Sequence, residues 1–400
     1  MNFIDEIKEE MKDTIAKLNE MKLCIRCRGR ALGKVGKGYT NIERGLAIGG
    51  KDYDKECEIC SGIFLNFEKY YNISITKLDG IEFSKFSVGS RFDSEIYAKE
   101  EQIWNESGTK WGESIKSEFN REFGKYFLHK AGKEASIEEP DVTILVDTSF
   151  DTVTIVVYPI YIYGRYRKYI RSIPQTRWNC RACNGKGCDR CSNTGKLYDT
   201  SIEEQIAYEI VKETEPKDEK FHGMGREDID ALMVGDGRPF IIELREPKKR
   251  IVNLELMEKK INQHGTGKIE VTHLSYVKGS MVERIKNATP DKEYIVTFIT
   301  HAKKDTVLLA IETIKGKTIM QKTPTRVLSR RADLIRKREV KDIILVDNID
   351  KTYKLKIRAE SGTYIKELIN GDGGRTTPSF TEVVGTGCEV KELDVVKVYY

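Results

Sequence analysis

At 400 residues the chain is longer than a single hydrophobic core usually serves, and its 39% hydrophobic and 33% charged residues exclude an intrinsically disordered polypeptide. No apolar run approaches the roughly 18 residues that cross a bilayer. Asp5, Glu6, Glu9 and Glu10 break any secretory signal, so a cytosolic protein in the cytoplasm with no membrane partner is expected. The net charge of +5 is too small to argue for a polyanionic partner, so the distribution of charge must decide.

In chain order, Phe3, Ile4, Ile7, Met11, Ile15, Leu18 and Met21 recur at three- and four-residue intervals, which predicts an amphipathic helix over residues 3–21. Cys24/Cys27 and Cys57/Cys60 follow, separated by a glycine-rich segment. Two thiolates spaced by two residues point into one tetrahedral site from a tight turn, and a second such turn completes the coordination. A second helix is predicted over residues 113–129, with Ile115, Phe119, Phe123 and Phe127 on one side. Strands at 142–146 and 153–157 then flank a turn at 148–151.

Residues 161–178 carry Arg165, Arg167, Lys168, Arg171 and Arg177 with no acidic residue, interleaved with Tyr166 and other aromatics. Residues 321–340 carry seven basic side chains, among them Arg326, Arg330 and Arg331, against Asp333 and Glu339. Either stretch alone reads equally as a solvated face, but together they suit a polyanion with stackable bases. Arg165, Tyr166, Arg167, Lys168, Arg171, Arg326, Arg330 and Arg331 are therefore the expected RNA-binding residues. Between the two lies CRACNGKGCDRC, where Cys180, Cys183, Cys188 and Cys191 form a compact second quartet. Reduced thiols in a cytosolic chain favour zinc over disulfides, and four thiolates per ion make closed, noncatalytic sites, so two structural zinc ions are expected. The ninth cysteine, Cys388, is left for packing.

Ser201 with Glu204 predicts a helix start, and residues 213–220 read as a solvated link. Beyond it, strands at 294–300, 343–346 and 353–357 mix with helices at 253–262 and 305–314, an α+β pattern. The densest unusual segment is GREDIDA at 225–231, followed by GDGRPF at 235–240 and an apolar strand. Alone it reads as a turn whose aspartates bond nearby backbone.

Four segments in one order change that reading. GREDIDALMVGDGRPF, GRYRKYIRSIPQT, QKTPTRVLSRR and ESGTYIKELINGDGGRT resemble the archaeal THUMP-domain tRNA pseudouridine synthases called Pus-ten, over most of the chain. The resemblance implies an α+β protein with an N-terminal zinc-bearing, THUMP-containing RNA-binding region and a pseudouridine synthase domain built on a mixed central sheet. The expected divisions are residues 1–65, 66–200 and 201–400. It implies an isomerase acting on uridines 54 and 55 of the tRNA T-arm, with tRNA as partner and no catalytic or nucleotide cofactor; a monomer is the expected state. The family's catalytic aspartate falls on Asp228, its ring-packing tyrosine on Tyr294, and further pocket residues on Tyr364, Ile365, Lys366 and Leu393, with Arg226 as another substrate contact. Leu232 stands where relatives often have arginine. Asp is ionised at neutral pH and needs no partner base to act, and Lys366 is expected to hold it charged and aimed. The rival class is a noncatalytic zinc and THUMP tRNA-binding protein. A methyltransferase, thiouridine synthase or deaminase would need loops and metal motifs that the sequence lacks, and Gly316-Lys317-Thr318 has no upstream glycine of a P-loop.

Overall fold

The computed structural model describes residues 9–108, 110–329 and 331–400, so Phe3, Ile4, Ile7 and Arg330 lie outside the described residues. The chain divides into two units, residues 1–159 with 246–250, and residues 160–245 with 251–400. The two units part at 159/160, because the strand that begins at Ile160 pairs with strands later in the chain.

In the first unit, α1 (Glu9–Glu20), α2 (Ile25–Arg30) and α3 (Asn41–Ala47) precede α4 (Phe67–Leu78), β1 (Lys85–Arg91), α5 (Ser94–Ser107), α6 (Ile115–Ala131), β2 (Glu134–Ala135), β3 (Val142–Asp147) and β4 (Thr152–Val157). The four strands run in the order β2-β1-β3-β4, with β1 parallel to β2 and β3 and with β3 and β4 forming the expected hairpin. Ser114 caps α6 and Gly132 ends it in the left-handed region, while Ile115, Phe119, Phe123 and Phe127 are fully buried. That four-residue spacing is what the helix prediction rested on. The same core takes in Cys24, Cys27, Cys57 and Cys60. Helices α2 and α3 touch backbone to backbone: a Cβ on Gly29 would lie 1.7 Å from the Asn41 carbonyl oxygen, and one on Gly45 would lie 1.9 Å from that of Ile25. Only glycine permits this approach.

The second unit contains β5 (Ile160–Lys168), α7 (Ile202–Thr214), β6 (Asp218–Gly223), β7 (Leu232–Arg245), α8 (Leu254–His264), β8 (Ile269–Val277), α9 (Ser280–Asn287), β9 (Lys292–Thr300), α10 (Lys304–Ile314), β10 (Lys317–Lys322), β11 (Ile335–Ile349), β12 (Thr352–Ala359), α11 (Ile365–Asn370), β13 (Thr376–Thr377), α12 (Phe380–Val384) and β14 (Cys388–Val398). Nine strands follow the order β13-β10-β11-β12-β9-β14-β7-β5-β8, and β6 adds to β7. The expected link at 213–220 is therefore partly strand, since residues 218–223 pair with 240–245 of β7. Among the described strands the sheet is antiparallel except where β14 meets β7 through Asp394 and Leu232. Strict alternation buries Lys292, Tyr294, Val296, Phe298 and Thr300 along β9 and Ile160, Ile162, Gly164, Tyr166 and Lys168 along β5. Cys388 packs into this core, as expected.

Candidate active site

The loop between β6 and β7 carries the GREDID residues and leads into β7 at Leu232, where β7 pairs with β14. Its first support is a buried network. Glu227 pairs with Arg238 of β7 at 2.9 Å, each side chain only 1% exposed, and Tyr166 of β5 donates its hydroxyl hydrogen to the same carboxylate at 2.8 Å from Oε2. Arg238 Nη1 donates to the Met224 carbonyl at 2.8 Å, and Gln175 Nε2 donates to Tyr166 Oη and to the Gly225 carbonyl. Burial and then the Glu227 charge push the Tyr166 phenol well above its usual range, so it stays a donor.

Its second support is a cation turned inward. The buried Lys168 Nζ donates to the carbonyls of Ile229 at 3.0 Å, Ile173 at 3.2 Å and Asp228 at 3.3 Å. Arg171 donates to the Asp230 carbonyl at 2.8 Å and pairs with Asp394 at 2.8 Å. With its backbone fixed from below, Asp228 projects a carboxylate that is 35% exposed.

That carboxylate meets Arg326 Nη1 at 3.1 Å, and Arg326 Nε is held by the buried Glu367 at 2.7 Å. Burial lowers the affinity of Arg326 for its proton, but Glu367 and then Asp228 more than compensate, so the guanidinium stays charged. Lys366 Nζ lies 3.6 Å from Asp228 yet only 2.7 Å from Asp230. The pairing with Asp228 expected of Lys366 is made more closely by Arg326, which reaches Asp228 from the turn following β10.

Around Asp228 opens a cavity of about 640 Å³, lined among others by Arg226, Lys292, Tyr294, Tyr364, Ile365, Lys366 and Leu393. That size lies in the range of roughly 300–1,000 Å³ usual for small-ligand sites. A cavity of about 740 Å³ in the first unit is larger but opens beside Trp104, Glu113 and Arg121, and its acids Glu113 and Glu122 are both engaged by Arg121. Tyr294 is 8% exposed, and burial raises its phenol to about 12, which keeps the ring neutral. Tyr364 caps α11, its backbone clamped by Gln321 through bonds of 2.9 Å in both directions, and Arg331 reaches its hydroxyl at 2.9 Å. The expected pocket residues therefore come together, and the exposed Arg226 lies with its guanidinium 5.5 Å from the centre of the Trp178 ring.

The expected RNA face divides. Tyr166 and Lys168 are both 0% exposed and serve the loop, a correction that follows from β5 lying inside the sheet between β7 and β8. Arg165 donates to the carbonyls of Asp236 and Gly237, and Arg167 donates to that of Gly235 and pairs with Glu270. Arg331 stays exposed, and Arg326 belongs to the pocket. Sequence reasoning missed Glu227, Arg238, Gln175 and Glu367 as a supporting set, and Lys292 as a residue of the cavity.

Both cysteine quartets converge. Within each quartet the four Sγ atoms lie within 4.8 Å of one another. Separations of 3.6 Å for Cys24–Cys60, and of 3.8, 3.7 and 4.0 Å for Cys183–Cys191, Cys188–Cys191 and Cys180–Cys188, match a tetrahedron with metal–sulfur bonds of about 2.3 Å, whose edges are near 3.8 Å. Backbone N–H groups of Gly187, Cys188 and Gly195 donate to the sulfurs of the second quartet at 3.2–3.3 Å, which suits thiolates. Either group can hold a metal ion.

A family profile described as "Pus10, C-terminal" matches residues 161–399, and one described as "Pus10 THUMP domain, archaeal" matches residues 72–147. The chain is 42% identical to "tRNA pseudouridine synthase Pus10" of Pyrococcus furiosus, over 95% of this chain and 96% of that one. It is 37% identical to the protein of the same name from Methanothrix thermoacetophila, over 94% and 91%. A solved chain of a Cbf5-Nop10-Gar1 complex is 18% identical over 49% of this chain and 45% of its own, with a TM-score of 0.32, a likeness too slight to build on. By these relatives the chain is an enzyme of the pseudouridine synthase class. The chain belongs to the Pus10 family, with an archaeal THUMP domain ahead of the family's C-terminal domain.

Proposed function

We propose that the protein is a tRNA pseudouridine synthase, an isomerase in which Asp228 is the catalytic carboxylate. The observation that carries this reading is the half-exposed Asp228, clamped by Arg326 at the floor of a cavity that also presents Tyr294. The reaction breaks the N1–C1' bond of uridine, turns the base and joins C5 to the same sugar carbon, so no redox partner or second reactant is needed. The target base must leave its stack at a cost of a few kcal/mol. Packing on an aromatic face recovers about 1–3 kcal/mol, which is the work assigned to Tyr294. Leu393 and Ile365 supply the apolar walls, and Arg226 and Arg331 stand exposed for phosphates. A noncatalytic tRNA-binding protein has no use for a carboxylate held open between two cations.

The substrate we assign is the T-arm, at positions 54 and 55, an assignment that rests on the resemblance of the four sequence segments. The THUMP domain supports tRNA as the partner, and the reading places a monomeric enzyme in the cytoplasm; no helix among the described residues is long and apolar enough to cross a membrane. Zinc is the ion we assign to both quartets, in a structural role, since eight thiolates leave no open coordination position. Chelation should lower the unfolding temperature of the first unit, where the quartet is part of the core, more than it slows isomerisation; an equal loss of activity on mild chelation would overturn that role. Incubating purified protein with unmodified tRNA transcript and mapping pseudouridine by carbodiimide-stop sequencing tests the main reading. Stops are expected in the T-arm with the wild type and none with Asp228→Ala, and a transcript without stops under either protein refutes it.

A further inference from the structure

One titratable group of the cavity has no place in the chemistry above. Lys292 opens β9 two residues before Tyr294, so strand alternation puts both side chains on the same face. It is 8% exposed, and its Nζ donates to Ser361 Oγ at 2.9 Å. Among the described residues no carboxylate pairs with it. Asp291 beside it in sequence is engaged by Arg358 at 3.0 Å, and Arg238 of β7 faces it as a like charge. The other charged groups lining the cavity near Asp228 have partners of their own: Arg326 pairs with Asp228, Lys366 with Asp230 and Glu227 with Arg238, while Arg331 bonds the Tyr364 hydroxyl and Arg226 lies over the Trp178 ring. A buried ammonium with three donors and one protein acceptor is costly unless an acceptor arrives.

We propose that Lys292 is a second catalytic residue, whose ammonium donates a hydrogen bond to a carbonyl oxygen of the extruded uracil and stabilises the negative charge the base carries during the exchange. This rests on the pseudouridine synthase reading. When the N1–C1' bond breaks, its electron pair stays on the base and spreads over N1, O2 and O4. The C5–C1' bond then forms, C5 gives up a proton and N1 gains one, so the product is an isomer and no atom is added or lost. Should Asp228 add to C6 first, the displaced pair moves onto O4, and the same donor serves. Lys292 keeps its proton throughout and acts as a fixed donor in a place shielded from water. The exposed Arg226 and Arg331 suit phosphates; the buried Lys292, beside Tyr294, Leu393 and Val395, suits the base.

Burial and then Arg238 draw the ammonium down to about 8, with Asp291 opposing, so the charged form is the one lost as the solution turns alkaline. The test uses full-length protein and tRNA transcript, with single-turnover rate, tRNA affinity and thermal melting measured for Lys292→Met, Lys292→Arg and Asp228→Asn. Lys292→Met is expected to slow the single turnover about 10²–10³-fold, the loss typical of removing an oxyanion donor, with affinity and melting close to wild type. Lys292→Arg should keep more of the rate and lose the alkaline fall of the wild-type pH profile, because its guanidinium stays charged. An unchanged rate in Lys292→Met, or an alkaline limb that persists in Lys292→Arg, overturns the proposal. If Lys292→Met melts early, the Lys292→Arg profile decides alone. Full activity in Asp228→Asn would instead strike at the synthase reading itself, and the two failures are thereby told apart.

Discussion

Glu227 and Asp228 are separated by one peptide bond, carry the same functional group and each face an arginine, yet they have opposite fates. Glu227 and Arg238 are each 1% exposed, whereas Asp228 and Arg326 are 35% and 39% exposed. The buried pair is surrounded by Tyr166, Gln175 and the Met224 carbonyl and can do nothing but hold the loop. The open pair keeps one side of its carboxylate free for a substrate. The turn at Gly225, with a φ of 68°, lets the chain send one acid into the sheet and the next into the cavity. Burial commits Glu227 to the architecture and leaves Asp228 open to the cavity.

The sharpest way to break that contrast is to neutralise each acid in turn. Asp228→Asn should abolish turnover by at least about 10³-fold, as losses of a catalytic group do, while its unfolding free energy moves by less than about 1 kcal/mol because the pair is half-exposed. Glu227→Gln should show the reverse emphasis: it strands a buried guanidinium, so denaturant unfolding should report a loss of about 3 kcal/mol or more, with activity falling only as far as the loop slackens. Adding Arg238→Met should return part of that stability, since removing both charges removes the stranded one. Equal destabilisation by the two single variants would erase the distinction.

Arg326→Met comes next in size. It removes the cation closest to Asp228 and leaves the buried Glu367 without its partner, so turnover should fall by about 10–100-fold and stability should fall as well. Single-turnover kinetics alongside melting separate the two losses; a rate unchanged from wild type would show that Arg326 only braces α11.

The contrast also marks how far the sequence could be read. Period and spacing announced α6, the β3/β4 hairpin and both cysteine quartets, because those features are local and each repeats within a few residues. The segment that carries Asp228 stood out through its motif. The network beneath it was not, because Tyr166, Gln175, Glu227 and Arg238 span some seventy residues and meet only when β5 pairs with β7. Basic residues such as Lys168 read as surface in any sequence, since a lysine is seldom fully buried; here the chain supplies three carbonyls, which the sequence does not display. The strand at 218–223 hid for a similar reason: its exposed, charged beginning resembles a linker until β7 pairs with it.

The smallest expected effect concerns the other acid of the motif, Asp230, which is exposed and bonded by Lys366 at 2.7 and 2.8 Å. Burial would raise its pKa, but the Lys366 hydrogen bond and charge outweigh it and hold the carboxyl below its ordinary value. A carboxyl depressed in the folded state stabilises above its unfolded pKa of about 3.9, and that stability drains away as pH falls through the lower folded value. Lys366→Met should therefore cost under about 1 kcal/mol near neutrality, and the gap from wild type should close as unfolding is measured at successively lower pH below about 4. A gap that stays constant into acid would mean that the methylene stem of Lys366, packed at the mouth of the cavity, matters more than its charge. In that case Asp230 would match neither the buried Glu227 nor the cavity-facing Asp228.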